Sequence, residues 1–383
     1  MRGYGHGTPK GRSPTRFADR LRAQLEPALR ALWYSRTPSL AQRLLRAALA
    51  PLAVLTAAVA TNRRRAISRL PRPAVPVVVI GNLVAGGAGK TPLVVALVEA
   101  LVEHGRRPGI VASGYGALRS DARLVAGDDD AVEHGDEPVL LARRTGRPVA
   151  AARERAQAVR VLLEAHPEVD VVVSDDGLQH ARLARSVEIV VFDERGVGNA
   201  RCLPAGPLRA PLTQAASMDA IALNGAARPP LAHDREFRFR VEAVRFLSLD
   251  GHAGPVPAHE FASHVGAGPV VAIAATAAPQ RFFDTLRALA VDAHEIALPD
   301  HAVLDAARLR AIDASWIVMT EKDAVKCAAW ADARCWFLEV RALPEPGLAE
   351  WLIGKLHGRT IARDPRLSAV QGAAEAAAGR TFR

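Results

Sequence analysis

An α/β fold is what this 383-residue chain predicts, on three observations. From Pro76 onward, short runs rich in Val and Ile alternate with helical periodicity, the pattern of a parallel sheet covered on both faces. One such run, Val77-Val78-Val79-Ile80, passes directly into a glycine-rich turn that closes on Gly89-Lys90-Thr91. A proline-rich stretch from Ala226 to His233 then breaks the alternation, and a second α/β series follows it. The expected architecture is a parallel-sheet domain carrying a glycine loop, a second, smaller α/β domain, and an apolar helix ahead of both.

Residues 1–36 are basic and glycine-containing with no apolar centre, so they read as a poorly ordered extension and not as a cleavable signal. Residues 37–66 hold a helix that is almost wholly apolar from Leu44 to Ala60 and then meets Arg63-Arg64-Arg65. A crossing helix needs about 20 apolar residues. Arg43, Arg46 and Pro51 interrupt this one, so the expectation is a helix lying in the interface, its apolar body in one leaflet and its arginines at cytoplasmic head groups. A core helix packed on the first domain is the alternative. The first domain, 67–228, takes strands near 76–80, 109–112, 169–174, 187–192 and 219–223. The second, 229–360, opens on Glu236-Phe237-Arg238-Phe239-Arg240-Val241, which alternates as an exposed antiparallel linker strand would. Strands near 270–275, 294–297, 315–320 and 336–340 follow, and the tail 361–383 is Ala, Gly and Arg of low complexity.

Composition narrows the partners. Hydrophobic content of 49% supports a large core, and the net charge of +10 with a pI near 10.3 suits an anionic surface, whether nucleic acid, phospholipid or a phosphorylated substrate. Aromatics are only 5% and are not interleaved with basic residues, which argues against nucleic acid. Cys202, Cys327 and Cys335 lack the paired spacing of a zinc site and fit a reducing cytosol.

The glycine turn is a phosphate cradle. Backbone N–H groups of such a loop converge on phosphate oxygens, the lysine reaches the terminal phosphates and the threonine hydroxyl ligates magnesium. Gly86, Gly87, Ala88, Gly89, Lys90, Thr91 and Pro92 are therefore assigned to a nucleoside triphosphate, and the domain is expected to be P-loop NTPase-like. Val84 stands where the strict pattern wants glycine, so Gly81, Gly86, Gly87 and Gly89 must supply the flexibility. Leu93, Leu97, Val98 and Leu101 then recur at helical spacing until Gly105 stops the helix. Downstream, the run from Val169 to Ser174 leads into Asp175-Asp176, strand-end carboxylates of the kind that complete magnesium coordination. The metal set is thus Thr91, Asp175 and Asp176, with one of the aspartates alternatively capping a following helix.

Six elements carry a family resemblance: Gly81-Asn82 through Thr91-Pro92; Gly135-Asp136-Glu137-Pro138; Ser174-Asp175-Asp176-Gly177-Leu178-Gln179-His180; Leu203 to Arg209; Pro299-Asp300-His301; and Met319-Thr320-Glu321-Lys322-Asp323 through Cys327. Together they resemble the tetraacyldisaccharide 4′-kinases, the lipid A 4′-kinases of Gram-negative bacteria. The resemblance implies ATP-dependent phosphorylation of the 4′-hydroxyl of an acylated disaccharide 1-phosphate at the cytoplasmic face of the inner membrane, by a peripheral or monotopic monomer. It implies that Asp136 is the base for the attacking hydroxyl, assisted by His301, with Lys90 at the transferred phosphate. Gln179, His180, Arg209 and Tyr115 fall to the substrate, Arg209 as a clamp on its 1-phosphate. Gln179 and His180 are expected one helical turn past the aspartates. Without the resemblance, Asp136 reads as a helix cap and His301 as a surface histidine. The chain departs from the family at Ser113, where an arginine is common, at Ala210 and at Val84. The Thr320–Asp323 stretch reads as a helix cap with no assigned role. A membrane-bound switch ATPase would need the glycine loop and an aspartate but neither Asp136 nor His301, and a ligase acting on a soluble metabolite would not need the apolar helix.

Overall fold

The computed structural model describes residues 28–357, apart from 72 and 303. Residues 1–27 of the basic extension and the tail at 361–383 lie outside the described residues, but residues 28–34 of that extension correct the expectation of disorder: they form a helix, because Leu32 is buried and Trp33 donates to the Pro204 carbonyl at 2.9 Å. The strands are β1 Val77–Gly81, β2 Pro108–Ala112, β3 Arg123–Val125, β4 Val149–Ala151, β5 Val171–Asp175, β6 Val187–Phe192 and β7 Ala220–Asn224, then β8 Glu236–Ser248, β9 Val256–Pro257, β10 Val270–Ala274, β11 His294–Ala297, β12 Trp316–Thr320 and β13 Cys335–Pro344. They form one 13-stranded sheet in the order β11-β10-β12-β13-β8-β7-β6-β1-β5-β2-β4-β3, with β9 on β8. Every residue of β1, β2, β5 and β6 is buried, because helices cover both faces of a parallel array, and this is why those strands read as unbroken apolar runs.

The long strand β8 joins the two series. Its first residues pair parallel with β7, Ile221 opposite Glu236, and the rest pairs antiparallel with β13, Phe246 opposite Leu338. The expected antiparallel strand is present, with a parallel neighbour the alternation did not reveal. The C-terminal helix Leu348–His357 crosses back and buries Leu348, Leu352 and Leu356 in the same apolar cluster as Leu93, Leu97 and Leu101 of the helix Lys90–Glu103.

The N-terminal helix, Leu40–Ile67, is capped by Ser39 in a capping box with Gln42 and continues through Pro51. It is 28 residues long and apolar enough to cross a membrane by length and composition. Within it only Ala53 is buried, while Leu44, Leu52, Val54 and Leu55 stand exposed, so the helix is not a core element. Arg64 pairs with Glu188 on β6 and fixes the helix's C-terminal end to the sheet.

Candidate active site

Strand β1 delivers the chain to the glycine loop at the carboxyl edge of the sheet, where open α/β folds collect ligands. Asn82, fully buried, shapes the loop: its amide donates to the Val84 carbonyl at 2.6 Å and the Gly86 carbonyl at 2.9 Å, and its oxygen accepts from Lys90 Nζ at 3.2 Å. Gly86 and Gly89 have φ of 98° and 82°, and a Cβ on Gly89 would lie 2.4 Å from Asn224 Nδ2, so glycine is required there. Gly87 faces open space, Ala88 is buried with its carbonyl held by Asn224, and Lys90, Thr91 and Pro92 form the first turn of the helix that follows. Val84 is buried and bridges to Leu208, so packing accounts for the residue that breaks the pattern. From outside, Arg195 donates to the Gly87 carbonyl at 2.7 Å, and both Arg195 and Arg281 clasp the buried Asp193.

Strand β5 ends at Asp175, which accepts from Thr91 Oγ1 at 2.9 Å. Asp176 follows with φ of 50° and pairs with Arg209 at 2.9 Å and Lys90 at 3.6 Å. Burial, then the charge of Glu137, pushes the Asp175 carboxyl up to about 7 against the pull of Lys90. At Asp176 burial acts the same way but Lys90 and Arg209 outweigh it, holding that carboxyl down at about 2. One Oδ1 on each aspartate is buried with no hydrogen-bond partner, and with the Thr91 hydroxyl they make an all-oxygen donor set; these residues fit magnesium. Arg155, also buried and missed by sequence reasoning, donates to the Asp175 carbonyl at 3.2 Å.

No helix follows the aspartates, and this corrects two expectations. Residues 176–182 are turns, so neither aspartate is a cap, and Gln179 and His180 do not sit on a helical turn. A Cβ at Gly177 would lie 2.4 Å from Ser174 Oγ, which shows how tightly the chain doubles back. Gln179 donates to the Asn82 carbonyl at 2.8 Å and buttresses the glycine loop. Burial, followed by the charge of Arg155, lowers His180 to about 4, so its imidazole is neutral at neutral pH.

A second cluster lies where the two series meet. Gly135, with φ of 99°, turns the chain so that Asp136 opens the helix Asp136–Thr145. Asp136 is buried; its Oδ1 accepts from the Glu137 N–H at 2.8 Å, and its Oδ2 lies 3.0 Å from His301 Nδ1, a partner 165 residues away. His301 follows β11 with φ of 63°, its N–H bonded to the Ala275 carbonyl at 3.2 Å and its ring met edge-on by Tyr115 at 5.1 Å. Burial works to raise the Asp136 carboxyl, but the hydrogen bond from His301 and the charge of Lys322 overcome it and hold it below the ordinary range. Lys322 was legible only as part of a capping motif; Thr320 does cap that helix, while Lys322 reaches into the cluster.

Between the N-terminal helix and the aspartate turn lies a cavity of about 300 Å³, lined by Leu55, Val59 and Arg63 on one side and Leu178, Gln179 and Arg209 on the other. Thus Lys90, Thr91, Asp175, Asp176 and Arg209 are brought together, Asp136, His301 and Tyr115 form their own group, and His180 is not among the residues lining the cavity.

Comparison with known proteins agrees with this geometry. The chain is 44% identical over 327 residues to the tetraacyldisaccharide 4′-kinase of Bordetella parapertussis, covering 81% of this chain and 92% of that protein. It is 45% identical over 343 residues to that of Alkalilimnicola ehrlichii, covering 87% and 98%. Its fold matches the crystal structure of LpxK from Aquifex aeolicus, an "apo" form in complex with ATP, with a TM-score of 0.68 and 25% identity over 83% of this chain and 100% of that one. The description of the tetraacyldisaccharide-1-P 4′-kinase family matches residues 45–357, and to that family the chain belongs.

Proposed function

We propose that the protein transfers the γ-phosphoryl group of ATP to the 4′-hydroxyl of tetraacyldisaccharide 1-phosphate, a step of lipid A biosynthesis, with Asp136 as the base. The observation that carries this reading is the bond between Asp136 and His301 at 3.0 Å, which a nucleotide hydrolase built on the glycine loop alone would not need. ATP phosphates lie along the loop from Gly86 to Thr91, with Lys90 on the transferred group. Thr91, Asp175 and Asp176 would hold magnesium, which when bound neutralises charge on the phosphates. Asp136 takes the proton of the acceptor hydroxyl as the new O–P bond forms and the bond to the departing ADP breaks. His301 donates to Asp136 through Nδ1 and fixes the carboxylate for that transfer, with Tyr115 against the imidazole.

The acceptor lies in the cavity beside the N-terminal helix in this reading. Leu55 and Val59 give an acyl chain an apolar wall, and Arg63 and Arg209 face its phosphate. The exposed apolar residues of the helix sit in the inner membrane with Arg63, Arg64 and Arg65 at the cytoplasmic head groups, the chain acting as a monomer. The division at 228 and 229 places nucleotide and metal ligands in the first part and His301 in the second. The test is transfer of labelled γ-phosphate from ATP to the lipid in mixed micelles. Wild type should label the lipid in a magnesium-dependent way, and Asp136→Asn and Lys90→Ala should not. ATP hydrolysis with unlabelled lipid, unaffected at Asp136, would instead mark a switch ATPase.

A further inference from the structure

Lys322 has no place in the mechanism above, yet it stands at the centre of the acceptor cluster. Its Nζ lies 3.1 Å from Glu137 Oε1, 3.4 Å from His301 Nε2, 3.6 Å from Asp300 Oδ1 and 3.9 Å from Asp136 Oδ2. Asp136, Glu137 and His301 present ligand atoms within 4.8 Å of one another, a spacing that suits a divalent cation, and the ammonium is set among them.

The position of Lys322 is built, not incidental. It lies in the first turn of the helix Glu321–Cys327, capped by Thr320. Next to it, the buried Asp323 accepts from the Ala275 N–H at 3.0 Å and pairs with Lys326 at 2.6 Å, and Lys326 donates to the Ala302 carbonyl at 3.0 Å. Glu321, on the other side, takes Arg144 of the Asp136 helix at 2.8 Å. The loop carrying His301 and the helix carrying Asp136 are therefore both anchored to the short helix that holds Lys322.

We propose that Lys322 is a positioning residue for the transfer, a built-in ammonium that locks the Asp136–His301 pair across the two series of the sheet and stands where a divalent cation would otherwise bind. The inference rests on the reading of Asp136 as base. An ammonium has donors only, so facing His301 Nε2 it requires a lone pair there and leaves the ring proton on Nδ1, aimed at Asp136. The charged and titratable groups facing Asp136 are Glu137, Asp300, His301, Lys322 and Lys326, and the two lysines offset the carboxylates.

The test uses the full chain in mixed micelles with tetraacyldisaccharide 1-phosphate. Lys322→Met should lower kcat by about tenfold or more near neutral pH while the KM for ATP moves less than about twofold. The acidic limb of its rate profile should move to higher pH, so that the deficit narrows as pH rises; Lys322→Arg should restore the limb. Unchanged kcat and profile in Lys322→Met, or a profile that Lys322→Arg leaves displaced, would overturn the proposal. Nitrogen NMR of labelled histidine in the wild-type protein, with His301 assigned by loss of its signal in His301→Gln, reads the same point if Lys322→Met does not fold: a proton on Nδ1 is expected, and one on Nε2 would overturn it. Asp136→Asn separates the two readings. If it turns over like wild type, the base assignment fails; if it is inactive while Lys322→Met is normal, only the role of Lys322 fails.

Discussion

Replacing Asp175 by Asn should stabilise the magnesium-free protein at alkaline pH while removing its activity. The carboxyl has an ordinary value of 3.8 and is pushed up to about 7 in the fold, chiefly by burial and then by Glu137. The folded state thus holds a proton that the unfolded chain has lost, and stability linked to this group is full below the unfolded value and lost as pH rises through the folded one. Each pH unit inside that window is worth about 1.4 kcal/mol. Between about pH 5 and about pH 8, wild type should therefore lose about 3 kcal/mol relative to Asp175→Asn, whose amide can still accept from Thr91. The assay is urea denaturation of both proteins in chelator across that range, read as the difference between their stability curves. Magnesium at about 100 times its dissociation constant should restore about 2.7 kcal/mol to wild type and much less to the variant. Parallel curves in chelator would refute the assignment of Asp175 as the buried, proton-holding carboxylate of the site.

Three further outcomes follow from contacts elsewhere. Arg144 binds both oxygens of Glu321, at 2.8 and 2.9 Å, in a largely buried pair, so Arg144→Met should cost about 3–5 kcal/mol in a denaturation experiment and Arg144→Met with Glu321→Leu should recover most of it. Gly89→Ala should raise the KM for ATP, because the backbone conformation alone costs about 1–2 kcal/mol and the new Cβ would meet Asn224 Nδ2 at 2.4 Å. Changing the exposed Leu44, Leu52 and Val54 together to Gln should release the protein from phospholipid vesicles in a flotation assay while its melting temperature stays within a few degrees, since each of these residues is more than half exposed.

What the sequence revealed follows from how local each signal was. The glycine loop and Asp175–Asp176 are continuous with buried strands, so β1 and β5 announced both. β3 and β4 span three residues each, too few for a period to register. Pro51 was read as an interruption of the apolar run and not as a helix break, and the helix does continue through it, since the Ala and Leu residues on both sides favour helix strongly. The turn after Asp176 was misread because its cause is a left-handed residue and a glycine pressed against Ser174, neither visible as periodicity. Asp136 and His301 needed the family resemblance to be paired, and Arg155, Arg195, Arg281 and Lys322 went unassigned for one physical reason. Their work is done against residues mostly far along the chain, as when Lys322 meets Glu137 across 185 positions.

The most direct measurement of the central claim is the position of the added phosphate, read by tandem mass spectrometry of tetraacyldisaccharide 1-phosphate after incubation with ATP and magnesium. The account predicts a single phosphate on the 4′-oxygen of the distal sugar with wild type, and none with Asp136→Asn. Phosphate added to the existing 1-phosphate, or lipid left unchanged while ATP is consumed, would contradict it.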